Sequence, residues 1–133
     1  VGRGDNGKIE GLFDFARRYM TANDIRPANP GLWEHVVHTW ETYRTLPVFT
    51  TNFEVSRVSF FQRADVKQWH EALTEEPPFG VLRRRWGDAQ TRVLTMAMFA
   101  KEEDLSRHRH LGYMHGRGKC RDYFDKEQAR DDY

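Results

Sequence analysis

The stretch from Phe53 to Met114 constrains this chain most, because its hydrophobic period changes in the order strand, helix, strand, strand, helix. Phe53-Glu54-Val55-Ser56-Arg57-Val58-Ser59-Phe60-Phe61 is rich in β-branched and aromatic residues, the composition of a strand. Val66, Trp69 and Leu73 then recur at helical spacing. Val81 to Trp86 and Thr91 to Phe99 are two further β runs around Gly87-Asp88-Ala89-Gln90, which predicts a hairpin turn. Leu105 to Met114 returns to a helical pattern. This order predicts a β-α-β-β-α unit and an α+β fold class. It fixes no chemistry.

Two helices are expected ahead of that unit. Leu12, Phe13, Phe15, Ala16, Tyr19 and Met20 give a broad apolar side to a first helix over Glu10 to Met20. Asn29-Pro30 is a helix start, with Asn29 as cap and Pro30 at the first helical position. The helix Gly31 to Arg44 follows, with Leu32, Val36, Trp40 and Tyr43 on one stripe and Trp33 and Val37 widening it. Pro47 ends it. The expected organisation is an N-terminal helical extension over 1–47, an α+β domain over 48–115, and a charged tail over 116–133. Residues 1–8 read as a flexible lead-in, where Arg3-Gly4-Asp5 is read as a chance match to an adhesion tripeptide.

At 133 residues the chain has room for one domain with a core of its own. Four Trp and nine Phe supply large buried areas that compensate for few aliphatic residues. A net charge of +1 argues against binding nucleic acid through the overall field. Of the basic residues 16 are Arg and 5 are Lys, a skew that suits interfacial ion pairs and equally follows from GC-rich codon usage. The single cysteine, Cys120, excludes an internal disulfide framework. The longest apolar run, Val93 to Ala100, is too short for a membrane span. The opening Val1-Gly2 without an initiator Met is read as a processed precursor or a cloned piece.

The stretch from Phe53 to about His115 resembles the dimeric α+β barrel superfamily, a ferredoxin-like fold. Within it the likeness is to antibiotic-biosynthesis-monooxygenase-like and NIPSNAP-like domains. It is carried by Val55 to Val58, Asp65 to Leu73, Val81 to Asp88, Val93 to Phe99 and Glu102 to Leu105. The resemblance covers about half the chain and rests on pattern rather than a diagnostic motif, and it implies no particular function, since this fold hosts many activities. The usual fourth strand is missing after the second helix, so either Val48 to Thr51 or another chain is expected to complete the sheet.

Several groups of residues are candidates for chemistry. His108, His110, His115 and Cys120 are zinc-competent residue types, but their spacing is against a site, and no resident metal or cofactor is expected. His35 and His38 lack a third ligand and read as the border of a buried helix face. His115-Gly116-Arg117-Gly118-Lys119 has the composition of a backbone nest, or equally of a glycine helix cap. With Arg107, Arg109 and Arg121 it makes Arg107, Arg109, Arg117, Lys119 and Arg121 an anion-binding candidate for phosphate or an anionic lipid head group. On a strand, Arg83 and Arg85 face opposite to Arg84 and Trp86, and Arg beside Trp matches the composition of binding hot spots. Arg83, Arg84, Arg85 and Trp86 are therefore the interface candidates.

No catalytic motif stands out. The expectation is a non-catalytic accessory subunit of a larger mitochondrial assembly, with other protein subunits as partners. A respiratory-chain complex or ATP synthase fits the near-neutral charge better than a ribosome. The alternative is a small homodimeric barrel enzyme, monooxygenase-like, acting on a hydrophobic substrate with His70 or His108 assisting proton transfer. An RNA-binding module is disfavoured because Val93 to Phe99 offers only Phe99 for base stacking.

Overall fold

The computed structural model describes residues 9–49 and 54–106. Its core is organised around the run Val93 to Ala100, buried at every position. These residues do not form a strand. They end a helix that spans Asp88–Phe99 (α5). A continuous apolar run of this length is compatible with a buried strand or a buried helix, and periodicity cannot separate them. Ala97, Met96 and Met98 are strong helix formers, and Thr95 returns its hydroxyl to the Thr91 carbonyl at 2.8 Å, a bond that exists only in a helix.

A helix end buried in the core needs partners for its last carbonyls, and two other segments together with the helix's own cap residue supply them. The Ala28 and Asn29 N–H groups donate to Met98 and Ala97 at 3.0 and 3.1 Å. Arg63 Nη1 donates to the Phe99 carbonyl at 3.1 Å, and the Ala100 N–H to Met96 at 3.0 Å. The chain can therefore bury the end of α5 without orphaned carbonyls.

The earlier helices fall where their spacing places them. Helix α1, Leu12–Ala22, buries Leu12, Phe15, Ala16, Tyr19 and Met20, the i, i+3, i+4, i+7, i+8 stripe, together with Phe13. Gly11 precedes it in the left-handed region at φ 77°, a conformation that costs glycine little. Helix α2, Pro30–Tyr43, opens with the Asn29 side chain accepting from Leu32 N at 3.0 Å and Pro30 in the first turn. It packs on α5. After a short turn of helix, Val58–Phe61 (α3), helix α4 covers Ala64–Glu75 and buries Val66, Trp69, Ala72 and Leu73. One hydrophobic core includes residues of α1, α2, α4 and α5. Its rings meet in pairs, among them Phe13 with Trp40 at 5.1 Å and Tyr19 with Trp69 at 5.1 Å.

The expected ferredoxin-like sheet is absent: among the described residues there is no strand. This corrects both the α+β class and the resemblance to the dimeric α+β barrel superfamily, and each β run fails for its own reason. With 91–99 helical, the stretch after Phe53 has no strand to pair with. Residues 54–57 are irregular, and Val55 and Val58 are exposed. Val81 to Trp86 instead follows a π-helical turn, Gly80–Arg84, closed by left-handed residues at Phe79 and Arg85. Gly87-Asp88 is the start of α5 rather than a hairpin. Leu105 lies outside any helix, and most of the expected last helix, with the tail, lies outside the described residues.

Candidate functional site

The polar groups that converge in this structure do so where α3, α4 and α5 meet. Glu54, in the irregular stretch before α3, accepts from Arg92 Nε at 3.1 Å through Oε2 and from the Ser56 hydroxyl through Oε1. The two charged side chains are only 28% and 27% exposed, so the pair is screened less than a surface ion pair. Arg92 sits on the first half of α5, and its guanidinium carbon lies 4.5 Å from the Phe61 ring centroid, a cation–π contact. Its bond to Glu54 uses the Nε–H, so the Nη fork that suits phosphate oxygens is not spent on this carboxylate.

Behind that pair lies His70. Its ring is near-parallel to Phe61, 20° between planes and 6.0 Å between centroids. Its Nε2 lies 3.4 Å from the Thr95 hydroxyl. Thr95 is fully buried. Its one proton goes to the Thr91 carbonyl, and one lone pair accepts from Trp69 Nε1 at 3.0 Å. A hydroxyl has a single donor, so His70 Nε2 must be the donor in this pair. That places the proton on Nε2 and leaves Nδ1 as the acceptor. Burial, with the Arg92 charge second, holds the His70 pKa below the ordinary imidazole value, which keeps the ring neutral near pH 7.

The residues singled out from the sequence are spread widely. His70 belongs to this cluster; His108 lies outside the described residues, as do Arg107, Arg109, Arg117, Lys119 and Arg121 and the set His110, His115 and Cys120. His35 and His38 are exposed on α2. Arg83, Arg84 and Arg85 are exposed, Arg84 pairing with Glu10 at 3.1 Å and Arg83 lying over Phe79. Trp86 is buried within this chain: Nε1 donates to the Glu10 carbonyl at 2.9 Å, and the ring packs on Phe15 and over Gly80. Glu54 and Arg92 were missed. The only signal for Glu54 was a lone acid in a run of apolar residues, two serines and an arginine, and its partner is 38 residues away.

Among the described residues no helix is long and apolar enough to cross a membrane, and no three metal-ligating side chains gather.

Comparison with known proteins adds an identity to this geometry. The chain is 24% identical over 113 residues to a Candida albicans protein named "Probable mannosyltransferase MNT3". It is 30% identical over 73 residues to an O-glycoside α-1,2-mannosyltransferase of Schizosaccharomyces pombe, and 34% identical over 67 residues to a Saccharomyces cerevisiae protein named "Probable mannosyltransferase KTR4". These alignments cover 80%, 54% and 50% of this chain but only 27%, 18% and 14% of the relatives, so the chain spans a minor part of their length. No solved structure matches.

The family model for glycolipid 2-α-mannosyltransferases matches residues 5–125. That match overturns the expected non-catalytic accessory subunit, the monooxygenase-like alternative and the respiratory-chain or ATP-synthase assembly in a mitochondrion, because the family is one of sugar-transferring enzymes. The chain belongs to the glycolipid 2-α-mannosyltransferase family.

Proposed function

We propose that this chain is part of the catalytic unit of an α-1,2-mannosyltransferase of the secretory pathway, and that Glu54 and Arg92 face its reacting groups. The family match over residues 5–125 carries the reading. The Glu54–Arg92 pair supplies groups suited to the chemistry. In mannosyl transfer an acceptor hydroxyl oxygen bonds to the anomeric carbon of an activated mannose. The bond from that carbon to a phosphate oxygen breaks, and the electron pair leaves on the phosphate. The hydroxyl proton needs a base, and the anchored Glu54 carboxylate is the group assigned to receive it. The Nη fork of Arg92 is assigned to the departing phosphate charge.

The purified full-length protein, given a nucleotide-linked mannose and a mannoside acceptor, is expected to extend the acceptor by one α-1,2-linked mannose and release the nucleotide. Acceptors of both glycolipid and O-glycoside type are included, because the family and one relative carry these two names. Failure of transfer to every acceptor contradicts the reading.

A further inference from the structure

We infer that His70 is a positioning residue for this site: its ring props Phe61 beneath the Arg92 guanidinium, and Arg92 in turn orients the Glu54 carboxylate. The inference rests on the reading of Glu54 and Arg92 given above. Each link is a separate contact. Thr95, fully buried and one helical turn beyond Arg92 on α5, meets the His70 ring through Nε2 at 3.4 Å. Phe61 lies near-parallel to that ring and 4.5 Å from the guanidinium carbon. Phe60 also meets Phe61 edge-on at 5.0 Å and is itself capped by Arg63.

The four-residue α3 has no fully buried side chain to anchor it. Phe61 is half-buried at the edge of the core, and the His70 ring is one of the surfaces that set its placement. His70 supplies a flat, neutral surface there without adding a second cation beside Arg92. Leu or Ala at this position would leave Phe61 free to rotate, and the guanidinium would lose the face on which it lies. A phenyl ring would keep that face and forgo only the bond to Thr95. That loss orphans no donor on Thr95, whose hydroxyl still serves Thr91 and Trp69.

The test compares His70→Phe, His70→Ala and Phe61→Leu in the full-length enzyme, with steady-state transfer kinetics and circular dichroism melts of each. A displacement of about 1 Å in a catalytic group costs up to about 100-fold, so kcat is expected to fall roughly tenfold in His70→Ala and in Phe61→Leu. In both the acceptor KM should change by less than about threefold, and His70→Phe should stay within about threefold of wild type. Combining His70→Ala with Arg92→Lys should give less than the product of the two losses. If His70→Ala does not fold, His70→Phe and Phe61→Leu carry the comparison. The inference is overturned if His70→Ala or Phe61→Leu retains wild-type kcat when folded, or if His70→Phe falls as far as His70→Ala. It also fails if activity in these variants merely follows the folded fraction. Glu54→Gln serves as the control: full activity there refutes the site itself, whereas a dead Glu54→Gln beside an active His70→Ala refutes only the role of His70.

Discussion

Replacing Thr95 by Val leaves side-chain size and helix propensity nearly unchanged and removes one hydroxyl. In the folded protein that hydroxyl accepts from Trp69 Nε1 at 3.0 Å in a site with no exposure for either residue. The variant strands the indole N–H in the core, and an unsatisfied buried donor costs about 1–3 kcal/mol. The lost back-bond to the Thr91 carbonyl adds little, because that carbonyl keeps its helical partner. The expected destabilisation is about 2 kcal/mol. Urea unfolding followed by far-ultraviolet circular dichroism reads it as a lower midpoint at unchanged slope. The double variant Thr95→Val with Trp69→Phe sharpens the argument. Removing both partners leaves only the half-buried His70 Nε2–H without its acceptor, so the two losses should overlap by roughly 1–2 kcal/mol. A Thr95→Val loss below about 0.5 kcal/mol, or strictly additive losses, would refute the claim that this hydroxyl anchors α4 to α5.

Other outcomes follow from the same geometry. A Cβ on Gly80 would lie 2.0 Å from Trp86 Cε3, so Gly80→Ala must push the indole out of its seat and should cost about 1–3 kcal/mol in urea unfolding. Gly87→Ala meets only the movable end of Gln90 and should cost clearly less. Asn29→Ala removes the cap of α2 and should cost about 1 kcal/mol, with Asn29→Asp close to neutral. The folded-state pKa of His70 lies below the ordinary 6.5, so the unfolded chain binds the proton more readily. Stability should be full above pH 6.5 and fall as pH drops from there towards the folded pKa. Melts of His70→Phe across the same range should lose that slope.

The helices α1, α2 and α4 were legible because each carries a helical apolar stripe, and α2 also has a recognisable start. Asn29-Pro30 did at the sequence level what it does in the fold. Helix α5 was illegible because its C-terminal part is buried on every side, which erases the 3.6 period. What permits that burial is remote: backbone donors of Ala28 and Asn29 and the guanidinium of Arg63. Reading 91–99 as a strand created a partner for the stretch after Phe53, and the second error followed from the first. The turn at Gly80 was hidden because its shape is set by Trp86 seated over a residue without a Cβ. Of the site, His70 stood out as a titratable residue beside Trp69. Glu54 and Arg92 gain meaning only from each other, and no local spacing links two residues that far apart.

The most direct test of the account is the turnover of Glu54→Gln in the mannosyl-transfer assay, measured beside wild type on a correctly folded full-length protein. The exchange keeps size and the bond from Arg92 but removes the base. Loss of positioned base catalysis is worth about 100- to 10,000-fold, and the account predicts a drop of that order in kcat with the acceptor KM little changed. A Glu54→Gln enzyme that turns over within about threefold of wild type would contradict it, since general-base roles are not dispensable at that level.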